Sequence, residues 1–253
     1  MDKVREQREI LKSNFDLLDD IETDQKQKLP QPALQKDIQD GAEVIELPEV
    51  NRNVVTKSNI FDVFMDRKSN RVYTQESLSL EELSFLLWFT QGVKKVVGKV
   101  NFATFRNVPS GGARHPFETY LVVNNVDGLK KGVYRYQPLD HKLVFLFEEE
   151  NLTEKVTEAN AGQSFIAAAP VVFMWSCIPY RSEWRYHVAA HKTILQDSGH
   201  LCQNLYLACE AIGCGTVAIG AYDQKKADEF LRLDGEDEFV IYVAPVGKIK
   251  TEE

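Results

Sequence analysis

The sequence lacks any long apolar run. No segment approaches the roughly 20 consecutive apolar residues that a membrane-spanning helix needs. The N-terminal residues, MDKVREQREI, also lack the apolar core of a secretory signal peptide. We therefore predict a cytoplasmic protein that has no membrane partner.

The chain also has few cysteines and no net positive charge. The four cysteines, at positions 177, 202, 209 and 214, form no Cys-x-x-Cys pair and lie among apolar residues. This pattern predicts buried free thiols instead of disulfides or a zinc site. A formal net charge of −8 argues against a nucleic-acid partner, because nucleic-acid-binding faces are basic. A local cluster of cations can still hold a single phosphate.

The chain divides into two parts by composition. Residues 1–58 are charged and poor in aromatic side chains, so we predict an N-terminal extension, either a helical arm on a partner subunit or a partly disordered leader. Residues 59–253 carry the patterns of a single folded domain. With 43% hydrophobic and 27% charged residues, the chain has the composition of a soluble globular protein.

Within the domain, hydrophobic patterning and turn residues predict an α+β fold with a central, mostly antiparallel sheet flanked by helices. Ser79 and Glu82 form a capping box that starts one helix, and Gly92 ends it. A long helical region over about 183–212 is predicted to be interrupted or kinked around Ser198 and Gly199. The other predicted helices cover 152–162 and a segment capped by Asp223, and the predicted strands cover 119–126, 132–136, 142–147, 169–176 and 239–247.

Residues 106–116, RNVPSGGARHP, have the composition of a binding loop between a helix and a strand. Glycine lets the backbone approach a ligand closely, proline fixes the turn, and arginine offers charge and donors. An ordinary turn with solvated charges is the alternative reading.

A second candidate binding segment lies upstream of this loop. Arg67, Lys68 and Arg71, with Ser69 between them, place three cations and a hydroxyl within five residues. Such a set suits a phosphate, because charge-assisted hydrogen bonds are strong. A solvated surface run explains the same residues without a ligand.

Several motifs in one order carry a family resemblance. They are the 106–116 loop, GVYRY at 132–136, DSGHLCQNLYLA at 197–208, and LDG followed by PVG at 245–247. Together they resemble the SagB/ThcOx-type branch of the FMN-dependent nitroreductase family over residues 55–250. The resemblance implies a nitroreductase-like fold, an intertwined homodimer, and one FMN at each subunit interface.

The resemblance also implies which residues bind the cofactor. The FMN phosphate maps onto Arg67, Lys68, Ser69, Arg71 and Lys248, and the loop at Pro109, Ser110 and Gly111 maps along the isoalloxazine ring. Ile219 and Gly220 map to the segment that approaches flavin N5. Gln203 and Asn204 map to supporting polar contacts, although an amide that satisfies its own neighbours explains them as well. Arg114, with Arg106, is a candidate to stabilise reduced flavin, or else forms an interface ion pair.

The implied reaction is a ping-pong hydride transfer through flavin N5, with NAD(P)H as a possible reductant and a small-molecule or peptide-borne substrate. Where peptide-modifying members are associated with a Lys-Tyr pair, this chain has Arg185 and Tyr186. Tyr186 could relay a proton, but the guanidinium of Arg185 stays protonated and cannot act as a base. The departure keeps open an alternative, a non-catalytic or flavin-free scaffold subunit of a peptide-modification complex.

The remaining histidines carry weaker signals. Glu183, His187 and His191 recur at helical spacing like metal ligands, but we predict no metal and favour an exposed helix face or the rim of a substrate pocket. His115 and His200 are candidates for core or interface positions, or for contacts to flavin and substrate.

Overall fold

The computed structural model of the chain describes residues 2–250. Seven strands form one sheet in the order β1-β6-β5-β4-β7-β9-β8, with all neighbouring pairs antiparallel. A separate hairpin joins β2 to β3. The strands are β1 Val44–Glu46, β2 Val93–Gly98, β3 Phe102–Arg106, β4 Phe117–Val123, β5 Gly132–Gln137, β6 Lys142–Phe147, β7 Val171–Cys177, β8 Cys214–Thr216 and β9 Phe239–Lys248.

Eight α-helices accompany the sheet within the described residues. They are α1 Asp2–Glu6, α2 Ile60–Asp66, α3 Leu80–Gln91, α4 Leu152–Ala159, α5 Ser164–Ala167, α6 Tyr180–Tyr186, α7 Ala190–Ala211 and α8 Gln224–Leu231. The predicted α+β class, with an antiparallel sheet flanked by helices, is confirmed. None of the helices in residues 2–250 is both long and apolar enough to cross a bilayer.

The sheet is covered on both faces. Leu121 and Trp175 pack with α3 and α7 on one face, whereas Val122 and Met174 pack with α4 and α8 on the other. Every residue of β4 and β7 is buried, which explains the apolar runs YLVV at 120–123 and VVFMW at 171–175. The sheet therefore offers a rigid platform on which α7 is held along its length.

The capping box that begins α3 is present as predicted: the Glu82 amide donates to the Ser79 hydroxyl, and the Ser79 amide donates to Glu82. The predicted kink at Ser198 and Gly199 is wrong. The long helical region breaks instead at His187, where φ is 43° and ψ is −128°, and a short 3-10 turn joins α6 to α7. Gly199 lies in open space on the exposed side of α7, and an exposed helix tolerates a glycine at a cost of about 1 kcal/mol.

Buried side chains of the domain hold residues 29–46, which we call the N-terminal strap. The Trp184 indole donates to the Leu29 carbonyl at 3.1 Å, and the Arg106 guanidinium donates to the Leu34 carbonyl at 3.2 Å. The strap ends in β1, which pairs with β6 at the edge of the sheet. The sequence did not predict this strand, and the proposed domain boundary at residue 58 stays a prediction.

A buried ion pair joins β4, α6 and the strap. Glu118 and Arg181 are 2% and 4% exposed, and the Arg181 guanidinium donates to the Glu118 carboxylate. The same carboxylate accepts the Lys36 amide at 3.0 Å. Glu118 therefore connects three parts of the chain that are far apart in sequence.

We predict that Glu118→Gln lowers the free energy of unfolding by about 3 kcal/mol, because it leaves the buried Arg181 charge without a counterion. Urea denaturation followed by circular dichroism measures the change. Glu49→Gln, at an exposed position, serves as the control and should change stability by less than about 0.5 kcal/mol. A loss below about 1 kcal/mol for Glu118→Gln would show that the pair contributes little to stability.

Candidate functional site

The residues predicted to hold a phosphate lie beside β8. Ser69 forms a bridge with Thr216, and the Asn70 amide donates to the Thr216 carbonyl at 2.9 Å. The Ser69 hydroxyl lies 3.0 Å from the Tyr206 hydroxyl on α7, and the guanidinium carbon of Arg67 lies 5.2 Å from the Tyr206 ring centre. We call Arg67, Ser69, Tyr206 and Thr216 the Tyr206 cluster.

Lys248 approaches the same region from β9, where it pairs with Cys214 of β8. Its ammonium forms an ion pair with Glu82 at the start of α3. Although burial acts in the opposite direction, the hydrogen bond with Glu82 raises the pKa of Lys248 above its usual value. Lys248 thus lies on a strand next to the Tyr206 cluster but already has a counterion, and its contact with a phosphate stays a prediction.

Gly215 of β8 allows this packing. A Cβ at Gly215 would lie 2.7 Å from the Cβ of Asn70 and 2.5 Å from the Ile249 side chain. A larger residue would therefore push segment 67–71 away from β8. In the sequence, Gly215 is only one of several glycines after α7, so its role in this packing could not be predicted.

The segment after β8 belongs to the same cluster. The Ala218 amide donates to the Tyr206 hydroxyl oxygen at 2.8 Å, and Ile219 pairs with Val243. Gly220 is exposed, and a Cβ there would meet no atom within 4 Å. The predicted N5 segment thus faces open space beside the predicted phosphate residues.

The 106–116 loop is anchored on the other half of α7 by Asp197. This buried carboxylate accepts the Ser110 hydroxyl at 2.6 Å and the Gly111 amide at 3.0 Å. Burial raises the pKa of Asp197, while the hydrogen bonds from Ser110 and Gly111 act in the opposite direction. Sequence reasoning included Asp197 in a motif without a role, because its partners are more than 80 positions away.

Tyr186 and Arg185 lie directly against this loop. A Cβ at Gly112 would come within 2.4 Å of the Tyr186 hydroxyl and 3.2 Å of the Arg185 side chain. Gly112 also has φ 58°, a left-handed conformation that glycine adopts at little cost. The structure therefore brings together the loop and the two residues predicted to act in catalysis.

The two loop arginines serve as anchors of the fold. Arg114 is 6% exposed, donates to the Gly112 and Phe102 carbonyls at 3.1 Å, and lies over the Trp184 ring. Arg106 donates to Thr104, Gln91 and Leu34, and burial lowers its pKa to about 10. The predicted contact of Arg114 with flavin stays a prediction beside this structural role.

The two halves of the candidate site are separated along α7. Tyr206 comes nine positions after Asp197, which corresponds to about 13 Å of helix. Gln203, which the resemblance implies as a flavin contact, is exposed on the helix between them. One chain therefore does not gather Pro109, Ser110 and Gly111 into the same cluster as Arg67 and Ser69.

The histidines have separate roles in the structure. The break at His187 removes it from the helical face that Glu183 and His191 were predicted to share with it, and those two residues pair at 2.8 Å. Across residues 2–250, no three potential ligand side chains are grouped so that they could hold a metal ion. His115 is buried with its Nε2 atom 3.1 Å from the Thr104 carbonyl, whereas His200 is half exposed on α7.

The sequence matches the profile of the Nitroreductase family over residues 64–248. The chain belongs to the nitroreductase family. This membership supports an oxidoreductase activity. The match begins just before the segment at Arg67 and ends at Lys248, so it includes both halves of the candidate site.

Similar proteins agree with this assignment. A candidate nitroreductase from Methanocaldococcus jannaschii is 33% identical over 204 residues, which cover 81% of this chain and 96% of that protein. A trifolitoxin-processing protein from Rhizobium leguminosarum bv. trifolii is 29% identical over 62% of this chain, but only 44% of that protein is matched. A crystal structure of a candidate nitroreductase from Anabaena variabilis superposes with a TM-score of 0.73 at 22% identity, covering 96% of this chain and 45% of that one. The structural likeness confirms the nitroreductase-like fold.

The buried histidine of the loop generates a prediction about pH. Burial lowers the pKa of His115 to about 2, so the folded state keeps it neutral while the unfolded state takes up a proton below about pH 6.5. Stability is therefore lost as pH falls, and His115 should account for about 2 to 3 kcal/mol of the loss between pH 7.5 and 4.5.

Urea denaturation across this pH range tests the contribution of His115. His115→Asn should remove it, because asparagine tolerates the positive φ of 45° and does not titrate there. His187→Asn is the matched control, since His187 also has positive φ but is exposed, and it should keep the wild-type pH dependence. Equal pH dependence in the wild type and His115→Asn would contradict the prediction.

Proposed function

We propose that this protein is an FMN-dependent oxidoreductase of the SagB/ThcOx-type branch that acts as a homodimer. It would transfer hydride between a nicotinamide cofactor, NADH or NADPH, and a small or peptide-borne substrate. The observation that carries the proposal is the Tyr206 cluster, in which the segment predicted to bind a phosphate packs on β8 beside an open glycine segment.

The residues present fit an FMN phosphate. Within residues 2–250, Arg67 and Arg71 form no ion pair, and the Ser69 hydroxyl lies between them in sequence. A dianionic phosphate matches two guanidinium groups and a hydroxyl donor through charge-assisted hydrogen bonds. The open space at Gly220 leaves room for a ring system next to this cation group.

FMN, when bound, would accept and return hydride at N5, so the redox chemistry comes from the cofactor. The chain would supply binding and orientation. Asp197 fixes the loop of Ser110 and Gly111, and the Tyr186 hydroxyl beside Gly112 is placed to hold or deliver a proton. Arg185 keeps a fixed positive charge at the same place, since a guanidinium does not deprotonate near neutral pH.

Exposed apolar side chains support the homodimer. Ile60, Phe61, Phe64 and Met65 of α2 are between 57% and 69% exposed. Ile60 also lines a mainly apolar cavity of about 620 Å³ between α2, α3 and α7. Large exposed apolar side chains on one helix are typical of protein interfaces. A second copy would cover this surface and bring its own loop of Ser110 and Gly111 to the Tyr206 cluster of the first copy. Within one chain, the loop anchor Asp197 and Tyr206 are about 13 Å apart along α7.

The substrate class is proposed from a relative. The similarity to a trifolitoxin-processing protein favours a peptide-borne substrate, with Tyr186 as the proton-handling group. Arg185 departs from the Lys-Tyr pair of the peptide-modifying members, and this departure argues against the same chemistry as theirs. Arg185 would contribute charge and not base catalysis.

We predict that the purified protein binds about one FMN per chain and that NADH or NADPH bleaches it. Replacing both Arg67 and Arg71 by Glu should weaken FMN binding by more than about tenfold, because it places two like charges against the phosphate. Flavin fluorescence and ultracentrifugation measure cofactor content and dimer mass.

The control is Lys225→Glu, which changes an exposed cation on α8 and should retain FMN. A colourless wild-type protein that refuses added FMN would contradict the proposed function and favour a scaffold subunit. Full FMN occupancy in the double variant would contradict only the placement of the phosphate.

We predict that Tyr186→Phe slows reoxidation of the reduced protein by a nitroaromatic acceptor about tenfold or more, because a positioned proton donor is removed. FMN content should not change, because Tyr186 is not among the residues proposed to hold the FMN phosphate. Tyr180→Phe, on the same helix but bonded to Asp24, is the control. Unchanged rates would exclude Tyr186 as the proton donor to that acceptor.

A further inference from the structure

A cavity of about 410 Å³ lies between the N-terminal strap and the edge of the sheet. Its walls are residues 36–42 of the strap, residues 144–147 of β6 and residues 231–233 at the end of α8. None of the residues proposed to bind FMN lines it. Its volume is in the range of pockets that hold small organic molecules.

Arg135 forms the charged floor of this cavity. It lies on β5 between Tyr120 of β4 and Val144 of β6, and only 7% of it is exposed. One guanidinium nitrogen donates to the Asp37 carbonyl at 2.6 Å, but Nε has no partner within the described chain. No carboxylate of residues 2–250 forms an ion pair with Arg135.

A buried guanidinium without a counterion is unfavourable, because it cannot lose its proton and is cut off from water. Among residues 2–250, buried Arg181 has Glu118 as a counterion, whereas buried Arg106 and Arg114 donate to neutral groups of their own chain. Arg135 differs from Arg106 and Arg114 because its buried Nε has no partner in the described residues and because it lines an open cavity. A bound anion in the cavity would supply the missing negative charge.

The charges around the cavity favour the same kind of ligand. Arg232 ends α8 with its guanidinium carbon 3.8 Å from the centre of the Phe147 ring. Lys36 is neutralised by Glu238, and Asp40 on the strap is the acidic residue among those lining the cavity. The two positive charges of Arg135 and Arg232 and the one negative charge of Asp40 give the cavity lining a net charge of +1. The whole chain, in contrast, has a formal net charge of −8.

The cavity also has an apolar wall. Phe145, Phe147 and Leu233 line it next to the two arginines. Aromatic and aliphatic side chains around a few charged groups are typical of sites for organic ligands, whereas a site for a bare ion needs no such wall.

We propose that the cavity between the strap and the sheet is a second ligand site, separate from the proposed flavin site, that binds a small organic anion. The carboxylate or phosphate group of the ligand contacts Arg135 and Arg232, and its apolar body packs against Phe147 and Leu233. Both anionic groups satisfy the same two guanidinium groups. The proposal does not depend on flavin binding.

Titration of the full-length protein with four probes tests this site. Benzoate represents carboxylates, phenyl phosphate represents phosphate esters, inorganic phosphate lacks the apolar body, and benzamide lacks the charge. Selective ¹⁵N labelling of arginine side chains follows the Arg135 Nε–H signal, which Arg135→Lys identifies by its loss. We expect benzoate or phenyl phosphate to shift this signal with saturation, and inorganic phosphate to bind at least about fivefold more weakly. The tighter binder of benzoate and phenyl phosphate shows whether the site prefers a carboxylate or a phosphate ester.

Variants at the rim keep the test valid even if changing Arg135 impairs folding. Arg232→Ala should weaken binding of the preferred probe at least about fivefold, because Arg232 is exposed and its loss leaves the core intact. Lys225→Ala, on the same helix but outside the cavity, should bind like the wild type. Benzamide that binds as well as benzoate, no saturable shift with any anion, or wild-type affinity in Arg232→Ala would each overturn the proposal.

Discussion

The buried pair of Glu118 and Arg181 is the interaction on which the arrangement around the candidate site depends. Glu118 is fixed in the most central part of the sheet, and Arg181 lies near the start of α6. The pair therefore sets where α6 runs. Because α6 ends at Tyr186, it also sets the position of the Tyr186 ring against Gly112 of the loop. The strap joins the same carboxylate through the Lys36 amide, so the N-terminal segment, the sheet and the loop share one anchor.

The helix α7 performs a second organising role, because it carries a polar anchor for each half of the candidate site. Asp197 holds Ser110 and Gly111, while Tyr206 holds Ser69 and the Ala218 amide. Both anchors are fixed on one rigid element, so their separation along the helix is also fixed. This geometry supports the proposal of a homodimer, in which a second chain would bring its Ser110 and Gly111 loop to the Tyr206 cluster of the first.

Local signals in the sequence predicted much of this fold. The capping box of Ser79 and Glu82 and the cap at Asp223 depend on neighbouring residues, and the structure has both. The kink at Gly199 was mispredicted because glycine permits a break without requiring one, whereas the break at His187 has no composition signal. The strand β1 has three residues, too few for an alternating pattern to be recognised.

Contacts between distant residues explain what the sequence could not predict of the site. The bond between Asp197 and Ser110 spans 87 positions, and the contact between Ser69 and Tyr206 spans 137. The motifs identified the loop and the cation segment as important, but not which buried group anchors each. Arg106 and Arg114 show the limit most clearly, because an arginine that binds a ligand and one that binds carbonyl groups of its own chain look the same in a sequence.

The distribution of counterions separates structural cations from those available to ligands. Lys248 is paired with Glu82, Lys36 with Glu238 and Arg181 with Glu118. Such pairs are expected, because acidic residues outnumber basic ones by 38 to 30. Buried Arg106 and Arg114 also have no acidic partner, but they use their donors on neutral groups of the chain. Within residues 2–250, Arg67 and Arg71 of the segment that packs on β8, and Arg135 under the strap, form no ion pair and are therefore candidates to bind an anion. The surroundings differ: the first group adjoins an open glycine segment, whereas Arg135 adjoins a cavity of about 410 Å³ with aromatic walls. The same electrostatic argument thus leads to two proposed ligand sites, and the surrounding walls, not the charges, distinguish them.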